Sequence, residues 1–510
     1  MPPDQPKQPP TEAEQLESSA TGIVGLDNIL CGGFTPHCLY LVEGIPGAGK
    51  TTLAMQYLLE GVRQGETVLY VTLSETEDEL RAVARSHGWV LEGNITIREL
   101  VPPEESLQPA EQYTMFHPAE VELSETTRTI LLDVERLKPS RVIFDSLSEL
   151  RLLAGDPLRY RRQLLALKQF FRGRHCTVLL LDDLTGSARD LQVQSIAHGV
   201  ISLEQLTPEY GADRRRLRVL KHRGRRFRGG FHDYVIGRGG LEVFPRLVAA
   251  EHRNNHPIER LDSNIGTLDK LLGGGLEHGT STLIVGAAGT GKSSLAAQFV
   301  ASAAKNGQRA AMFLFDESMR TLLSRTDGLG IELRRYIDDG TVKCRQVDPA
   351  ELSPGEFTHA IRQAVENDGA RCIVIDSLNG YLNAMPGERF LAIQLHELLM
   401  YLGDRNVATI LIGAHQGLIG AAMQTPVDAS YLADAVVLLR YFEAKGRVRQ
   451  AISVMKKRGS AHERTIREFS LDARGIHVGE PLAHFRGILT GVPVVEPPDA
   501  EAARTAPRGG

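Results

Sequence analysis

The sequence predicts an α/β protein built from two tandem domains, each with a mainly parallel sheet flanked by helices. Three observations support this fold class. The chain repeats itself at a spacing of roughly 240 residues, each half alternates apolar runs with helical patterns, and each half contains the motif GxxxxGK[ST] between a run and a helix.

The internal repeat covers almost the whole chain. The stretch "TGIVGLDNILCGGF" from Thr21 matches "SNIGTLDKLLGGGL" from Ser263. Farther along, "RVIFDSLSEL" matches "CIVIDSLNGY", and "VLKHRG" matches "VMKKRG". A period of about 20–50 residues would predict a solenoid, whereas this much longer period predicts two complete domains.

The apolar runs have the length of strands. In the first half they are LYLVEG, TVLYVTL, RVIFDS and TVLLLDD, and in the second half STLIVG, AAMFLF, RCIVIDS and ATILIGA. Segments with a helical pattern, such as KTTLAMQYLLEGVRQ and YRRQLLALKQFFR, separate them. Such runs are typical of parallel strands covered on both faces. After the fourth run, each half changes to a pattern that favours antiparallel strands.

Composition sets the predicted domain boundaries. Residues 1–17 and 494–510 are rich in Pro and charged residues, and we expect them to be disordered. Between them we expect a first domain over residues 18–247, a linker over 248–260 and a second domain over 261–493.

The bulk properties are those of a globular protein. The chain has 42% hydrophobic and 24% charged residues, a net charge of −5 and a pI near 6.4, so nothing draws it overall to nucleic acid or an acidic membrane. Its five scattered cysteines favour a reducing compartment over a disulfide framework. No secretory signal or apolar run of about 20 residues is present. We therefore expect a cytoplasmic protein without a membrane partner.

Each half carries one P-loop, "GIPGAGKTT" from Gly44 and "GAAGTGKSS" from Gly286. The glycines let backbone N–H groups surround phosphates at the positive end of the following helix, and the lysine reaches the β- and γ-phosphates. The motif therefore predicts ATP and Mg²⁺ as cofactors. The predicted nucleotide-binding residues are Gly44, Gly47, Gly49, Lys50, Thr51, Thr52, Gly286, Gly289, Gly291, Lys292, Ser293 and Ser294.

Two aspartates are candidates for holding the magnesium ion. Asp145 and Asp376 each end an apolar run, as a Walker-B aspartate does, and Thr51 and Ser293 supply a hydroxyl from the P-loops. An Asp at a strand end is often only a turn former. The repeat, which places both aspartates at matching positions, favours the metal role.

Hydrolysis also needs a carboxylate that orients or deprotonates water. The second run of each half is followed by acids, Glu75 in the first half and Asp316 and Glu317 in the second. The alternative is a solvated helix start, with Ser74 or Ser318 as the N-cap residue. We favour catalysis because the acids follow strands that end beside the P-loop.

One pair of cations comes late in each half, Lys221 and Arg223 in "KHRG" and Lys456 and Arg458 in "KKRG". A charge run usually marks a solvated face. At period two on a strand, however, both members of a pair point to one side. They could then stabilise a transferring phosphate across a subunit interface.

These duplicated motifs resemble those of the KaiC circadian-clock ATPases. The similarity runs from about residue 18 to 493 and includes "GSAHERTIREF" and "FRGILTGVP". It implies two RecA-like P-loop NTPase domains per chain, stacked as two rings in an ATP-dependent homohexamer. Nucleotides then lie between subunits, so the late cations act in trans. The tail after Pro493 bears no docking motif for a regulatory protein.

The resemblance also implies a division of labour between the halves. In the family the first domain is chiefly an ATPase, and the second phosphorylates itself on adjacent Ser and Thr. The family's first-domain acidic pair is Glu-Glu, but here Ser74 precedes Glu75, so hydrolysis in that half is expected to depend on Glu75. Asp316 takes the place of the kinase's general base, one methylene shorter.

Ser430 falls on the phosphorylated serine of the family, whereas Tyr431 replaces the threonine. In the first half, Gln194 lies opposite Ser430 in the repeat. The resemblance therefore implies serine/threonine kinase activity at one site, Ser430, in place of a two-site cycle.

Two other functions remain open on sequence alone. A RecA- or RadA-like DNA-dependent ATPase would share the P-loops, and the basic run from Arg214, with nine Lys and Arg through Arg228, is its best support. Phe227 alone interrupts the last cluster, which leaves little aromatic surface for bases, so we regard nucleic acid as the weaker alternative. The third hypothesis is a nucleotide-gated scaffold without turnover.

Overall fold

The computed structural model describes residues 17–100, 118–184, 191–208, 210–251, 256–257, 259–348, 350–383, 390–414, 431–490 and 494–495. The chain divides into two compact units, Met1–Arg246 and Leu247–Gly510. The segments expected to be disordered lie outside the described residues, apart from residues 17, 494 and 495.

In the described part of the first unit, nine strands form one sheet. They are β1 (Leu39–Gly44), β2 (Val68–Thr72), β3 (Ile95–Glu99), β4 (Arg141–Asp145), β5 (Thr177–Asp183), β6 (Gly199–Leu206), β7 (Arg214–His222), β8 (His232–Gly237) and β9 (Gly240–Phe244). Their order is β3-β2-β4-β5-β1-β6-β7-β8-β9, parallel as far as β6 and antiparallel beyond it.

In the described part of the first unit, one helix precedes β1 and the others connect the parallel strands. They are α1 (Val24–Ile29), α2 (Lys50–Arg63), α3 (Glu77–Ser86), α4 (Pro118–Leu137), α5 (Leu147–Ala154), α6 (Pro157–Arg172) and α7 (Leu191–Ile196). No helix within the described ranges is both long and apolar enough to cross a bilayer.

The second unit repeats this architecture. Its strands are β10 (Arg260–Leu261), β11 (Leu276–Glu277), β12 (Ser281–Gly286), β13 (Arg309–Leu314), β14 (Val342–Gln346), β15 (Ala370–Asp376), β16 (Ala408–Ala414), β17 (Ala435–Ala444), β18 (Arg447–Lys457), β19 (Arg467–Asp472), β20 (Gly475–Pro481), β21 (Phe485–Arg486) and β22 (Val494–Val495). The main sheet has the order β14-β13-β15-β16-β12-β17-β18-β19-β20, and β10–β11 and β21–β22 form separate pairs.

The helices described in the second unit have counterparts in the first, except the short helix Leu333–Asp338. They are α8 (Gly266–Leu271), α9 (Lys292–Lys305), α10 (Met319–Gly328), α11 (Leu333–Asp338), α12 (Pro354–Glu366), α13 (Leu378–Asn383) and α14 (Leu391–Asp404), with 3-10 turns at Ala249–Glu251 and Ile488–Thr490. The predicted fold, two tandem α/β domains with mainly parallel sheets, is confirmed.

Each sheet is covered by apolar side chains on both faces. On β1, Leu41 packs into the cluster on one face and Val42 into the cluster on the other. On β12, Leu283 and Ile284 divide in the same way. This two-sided burial explains why the central strands are apolar at nearly every position.

The prediction missed the edge strands β3 and β14. Their sequences, ITIRE and VKCRQ, mix charged and apolar residues, and most of their side chains are only partly buried or exposed. An edge strand is covered less completely, so its apolar signal is weaker than that of the central strands.

The predicted end of the first domain and part of the predicted linker pack on the second unit. Leu247 and Ala249 are buried in an apolar cluster of that unit, and the Ala249 N–H donates to Glu397 Oε2 at 3.0 Å. The compact second unit therefore begins at Leu247, before the start expected from the sequence.

A buried arginine connects three segments of the first unit. The Arg141 guanidinium donates to the carbonyls of Ala20 and Tyr57 at 2.8 and 2.7 Å. Its Nε forms an ion pair with Glu66 at 2.6 Å, and it lies 4.4 Å from the centre of the Tyr57 ring. Arg141 is fully buried, so each contact is made away from solvent. The second unit has the buried Cys372 at the matching position.

We expect Arg141→Met to lower the free energy of unfolding of the first unit by about 3 kcal/mol, because it leaves Glu66 and two carbonyls without their donor. Trp89 is the only tryptophan and packs in the first unit, so urea denaturation followed by its fluorescence reports this unit. Cys372→Ala is the control and should leave that transition in place. A loss below about 1 kcal/mol for Arg141→Met would contradict the prediction.

Candidate functional site

The first P-loop connects β1 to α2 at the carboxyl edge of the sheet. Gly49 precedes the helix with φ of 89°, and Gly291 precedes α9 with φ of 93°. A side chain is strained at such angles. A Cβ on Gly49 would also lie 2.6 Å from Ile236 Cδ1. Both P-loops therefore need glycine immediately before the lysine.

The Lys50 ammonium is buried and fully engaged. Its Nζ donates to the carbonyls of Gly44 and Ile45 at 2.9 and 3.0 Å and forms an ion pair with Asp183 Oδ1 at 2.6 Å. Asp183 ends β5, which is paired with β1 so that Gly44 lies opposite Asp183. Strand order therefore places this carboxylate beside the P-loop.

The predicted magnesium residues of the first unit are in contact. Thr51 Oγ1 donates to Asp145 Oδ2 at 3.0 Å, and the buried Tyr70 hydroxyl donates to the same oxygen at 2.6 Å. Burial raises the pKa of Asp145, whereas these two hydrogen bonds oppose the rise. The pair of oxygens from Thr51 and Asp145 suits Mg²⁺, which prefers hard oxygen ligands.

Glu75 follows β2 on a turn fixed by Thr72. The Glu75 N–H donates to Thr72 Oγ1 at 3.0 Å, and the Thr72 hydroxyl donates to the Glu75 carbonyl at 2.7 Å. Its Oε2 is buried without a hydrogen-bond partner among the described residues. Burial and the charge of Asp145 raise the pKa of Glu75. These are properties of a carboxylate that can accept a proton.

The alternative role for Ser74, as an N-cap, is wrong. Thr76 caps α3 and forms a capping box with Glu79, because the sequence offers this stronger reciprocal pair two residues later. In the second unit, Ser318 caps α10 as expected, accepting from the Thr321 N–H at 3.2 Å.

The second P-loop is less crowded. Lys292 Nζ donates to the Ala287 carbonyl at 2.8 Å, and burial lowers the pKa of Lys292 while Asp376 opposes that shift. Ala414 lies opposite Gly286 on β16, where the first unit has Asp183 opposite Gly44. The two P-loops therefore differ in one nearby carboxylate.

Asp376 is placed for a cation. Burial raises its pKa, and a hydrogen bond from Ser293 opposes the rise. Its Oδ2 is buried and has no hydrogen-bond partner within the described ranges. An unpaired buried carboxylate oxygen beside a hydroxyl fits the Mg²⁺ that accompanies a nucleotide.

The two acids after β13 have different partners. The Ser377 hydroxyl donates to Asp316 Oδ2 in a short hydrogen bond. Glu317 Oε1 accepts from Arg325 Nη1 at 2.5 Å. Burial raises the pKa of Glu317, and the charge and hydrogen bond of Arg325 oppose that shift. Glu317 is thus paired with a cation, unlike Glu75.

The cations of the first unit lie away from its own P-loop. Lys221 lies opposite Val200, which is opposite Leu41, three residues before Gly44. Lys221 is therefore about 10 Å from Gly44 along the strand direction, and its strand lies two strands away from β1. Lys221 Nζ donates to the Gln194 carbonyl at 2.7 Å, and Arg223 Nη2 to the Ser195 carbonyl at 3.0 Å.

The cations of the second unit have the same arrangement. Lys456 lies opposite Val436 on β17, two strands from β12. Its Nζ donates to the Ala433 carbonyl at 2.7 Å, and Arg458 Nη2 donates to the Tyr431 carbonyl at 3.2 Å. In both units, then, the late cations contact the segment that precedes the strand β6 or its counterpart β17.

The proposed phosphoacceptor Ser430 lies outside the described residues. Its counterpart in the repeat, Gln194, donates from Nε2 to both oxygens of Glu43 at 3.0 and 2.9 Å. Glu43 is buried on β1 next to Gly44. Gln194 therefore serves as a hydrogen-bond donor to the buried Glu43 at this position.

Sequence reasoning missed Tyr70, Asp183 and Arg325. Asp183 carries the same signal as Asp145, because it ends an apolar run. Tyr70 could not be recognised, since its hydroxyl meets Asp145 only through the pairing of β2 with β4. Arg325 lies on α10, eight residues after its partner.

Comparison with known proteins identifies the family. A family model described as "ATPase: KaiC" matches residues 19–248 and 261–483. The circadian clock protein KaiC3 of Synechocystis sp. is 28% identical over 491 residues, covering 95% of this chain and 96% of that protein. The circadian clock oscillator protein KaiC of Synechococcus elongatus is 27% identical over 493 residues, covering 95% and 93%. The chain therefore belongs to the KaiC family of ATPases, as a protein of two tandem RecA-like P-loop domains.

Proposed function

We propose that the protein hydrolyses ATP in both units and that its second unit also phosphorylates Ser430. The observation that carries this proposal is the duplicated P-loop with a buried lysine, a hydroxyl and aspartate for Mg²⁺, and acids that follow the neighbouring strand. Thr51 and Asp145 in the first unit, and Ser293 and Asp376 in the second, would hold Mg²⁺, which would neutralise charge on the phosphates.

In the first unit, Glu75 is the group that activates water. Its unpaired Oε2 and raised pKa suit a general base that takes a proton from the attacking water. The Lys50 ammonium would hold the terminal phosphate after leaving Asp183. Ser74 adds no second carboxylate, so the proton goes to Glu75.

In the second unit, Asp316 acts on the acceptor serine. The Ser430 hydroxyl loses its proton to Asp316, its oxygen bonds the γ-phosphorus, and the bond from that phosphorus to the bridging oxygen of ADP breaks. The Ser377 hydroxyl, which donates to Asp316, orients this carboxylate. Glu317, paired with Arg325, is the residue assigned to hydrolysis in this unit.

Lys221, Arg223, Lys456 and Arg458 are proposed to complete the site of a neighbouring copy. Their distance from their own P-loop supports action in trans. Sites shared in this way favour an ATP-dependent homohexamer. The names of the relatives, which are circadian clock proteins, support a timing or signalling role. We also propose a cytoplasmic location, as expected from the scattered cysteines.

Contacts of the basic run weigh against a DNA-dependent ATPase. Arg216 forms an ion pair with Glu204 at 2.9 Å, and Arg218 lies 3.7 Å from the same carboxylate. Both guanidinium groups lie over the Phe231 ring, at 4.0 and 4.9 Å. Cations and an aromatic ring already engaged with each other are less available to phosphates and bases.

We expect γ-labelled ATP to label Ser430. Mass spectrometry of the incubated protein locates the label, and Lys292→Ala should abolish it because the second P-loop no longer holds the γ-phosphate. Lys50→Ala is the matched control and should retain the label. Label that persists in Lys292→Ala, or that is absent from Ser430, would overturn the kinase assignment.

The trans arrangement predicts that two inactive variants complement each other. With Lys292→Ala in every copy, hydrolysis reports the first sites alone, and Lys50→Ala and Arg223→Ala should each reduce it strongly. In an equal mixture, the P-loop of one variant meets the cations of the other at some interfaces. Phosphate release should recover to roughly a quarter of the rate of the Lys292→Ala protein that carries neither other change, because about a quarter of the interfaces then have both an intact P-loop and intact cations. No recovery in mixed oligomers, or a monomer by light scattering with ATP and Mg²⁺, would contradict this assignment.

Salt dependence tests the DNA-dependent alternative. We expect single-stranded DNA to leave the rate of phosphate release unchanged at low and at moderate salt, because Arg216 and Arg218 of the basic run are already paired with Glu204. Stimulation by DNA that weakens steeply as salt rises would favour the alternative instead.

A further inference from the structure

We propose that Asp183 competes with the nucleotide phosphates for Lys50, so that the first site binds nucleotide more weakly than it would without this carboxylate. The inference rests on the proposed nucleotide binding at the two P-loops and does not depend on hydrolysis or phosphorylation.

The Lys50 ammonium already has three partners. Its Nζ donates to the Gly44 carbonyl at 2.9 Å and to the Ile45 carbonyl at 3.0 Å, and it forms an ion pair with Asp183 Oδ1 at 2.6 Å. A lysine ammonium has three N–H donors, so a phosphate oxygen that binds Lys50 competes with these partners. Asp183 is the anion among them, so an incoming phosphate competes with it for the charge of the ammonium.

The backbone of Asp183 is held in place beside the P-loop, so its carboxylate cannot move far from Lys50. The Leu184 N–H donates to the Gly44 carbonyl at 3.3 Å, and the Asp183 N–H donates to Ser148 Oγ at 3.3 Å. When phosphate displaces the carboxylate from Lys50, its negative charge stays beside the P-loop. Repulsion between that charge and the phosphates then adds to the loss of the ion pair.

The charge of Asp183 affects the pKa of the other carboxylates of the first site. It contributes to raising the pKa of Glu75 and of Asp145. An added polyphosphate therefore enters a site in which three carboxylates lie close together.

The second unit is a natural comparison. Ala414 lies at the position of Asp183, opposite the first glycine of its P-loop. Among the described residues, Lys292 donates to one carbonyl, that of Ala287, and has no carboxylate within ion-pair distance. Its ammonium can receive a phosphate without giving up an anionic partner.

The test measures equilibrium binding of fluorescent ADP with Mg²⁺ to each site separately. Lys292→Ala isolates the first site, and Lys50→Ala isolates the second. In the first background we expect Asp183→Asn to lower the Kd about tenfold or more, the effect of a hydrogen bond to a charged group. In the second background, Ala414→Asp should raise the Kd by a similar factor.

Asp156→Asn is the matched control in the first background. It removes an exposed carboxylate that caps α6, and Asn is an equally good cap, so the Kd should not change. Trp89 fluorescence verifies that the first unit is folded. If Ala414→Asp fails to fold, the nearly isosteric Asp183→Asn decides alone.

A Kd that changes less than about twofold in Asp183→Asn, or that rises, would overturn the proposal. A large fall in the hydrolysis rate at an unchanged Kd would also overturn it, and would make Asp183 a catalytic carboxylate. Absence of binding at both sites before Asp183 is changed would instead contradict the proposed function itself.

Discussion

The carboxyl ends of parallel strands meet at one edge of each sheet, and the rest of the site depends on this constraint. In the first unit, β1 ends at Gly44, β4 at Asp145 and β5 at Asp183. Because β5 lies between β4 and β1, the lysine that begins α2 faces carboxylates from two strands. No single segment contains this site. The strand order assembles it.

The sequence was sufficient for the fold and for the residues of the P-loops, because both depend on local patterns. Apolar runs identified the buried strands, and the spacing of glycines and lysine located the two P-loop turns between a strand and a helix. The edge strands β3 and β14 escaped because partial exposure weakens their pattern. Thr76 was missed as an N-cap although its capping-box partner Glu79 stands three residues later.

Contacts between distant side chains were beyond the sequence. The bond from Tyr70 to Asp145 requires β2 beside β4, and the ion pair of Lys50 with Asp183 requires β5 beside β1. Nothing local in either segment specifies its neighbour in the sheet. The resemblance to a family located the motif residues Lys50 and Asp145, but their partners Asp183 and Tyr70 lie outside the shared motifs.

The P-loop and the late cations lie on different parts of each unit. The P-loop lies at the carboxyl edge of the sheet, and Lys221 lies two strands away and nearer the other edge. In the trans arrangement proposed above, the contact between copies joins these two different surfaces and is therefore heterologous. In an open row of copies, the P-loop at one end and the cations at the other stay without a partner. Closure into a ring removes both ends, so a closed assembly completes as many sites of each kind as it has copies, and an open row always completes one fewer.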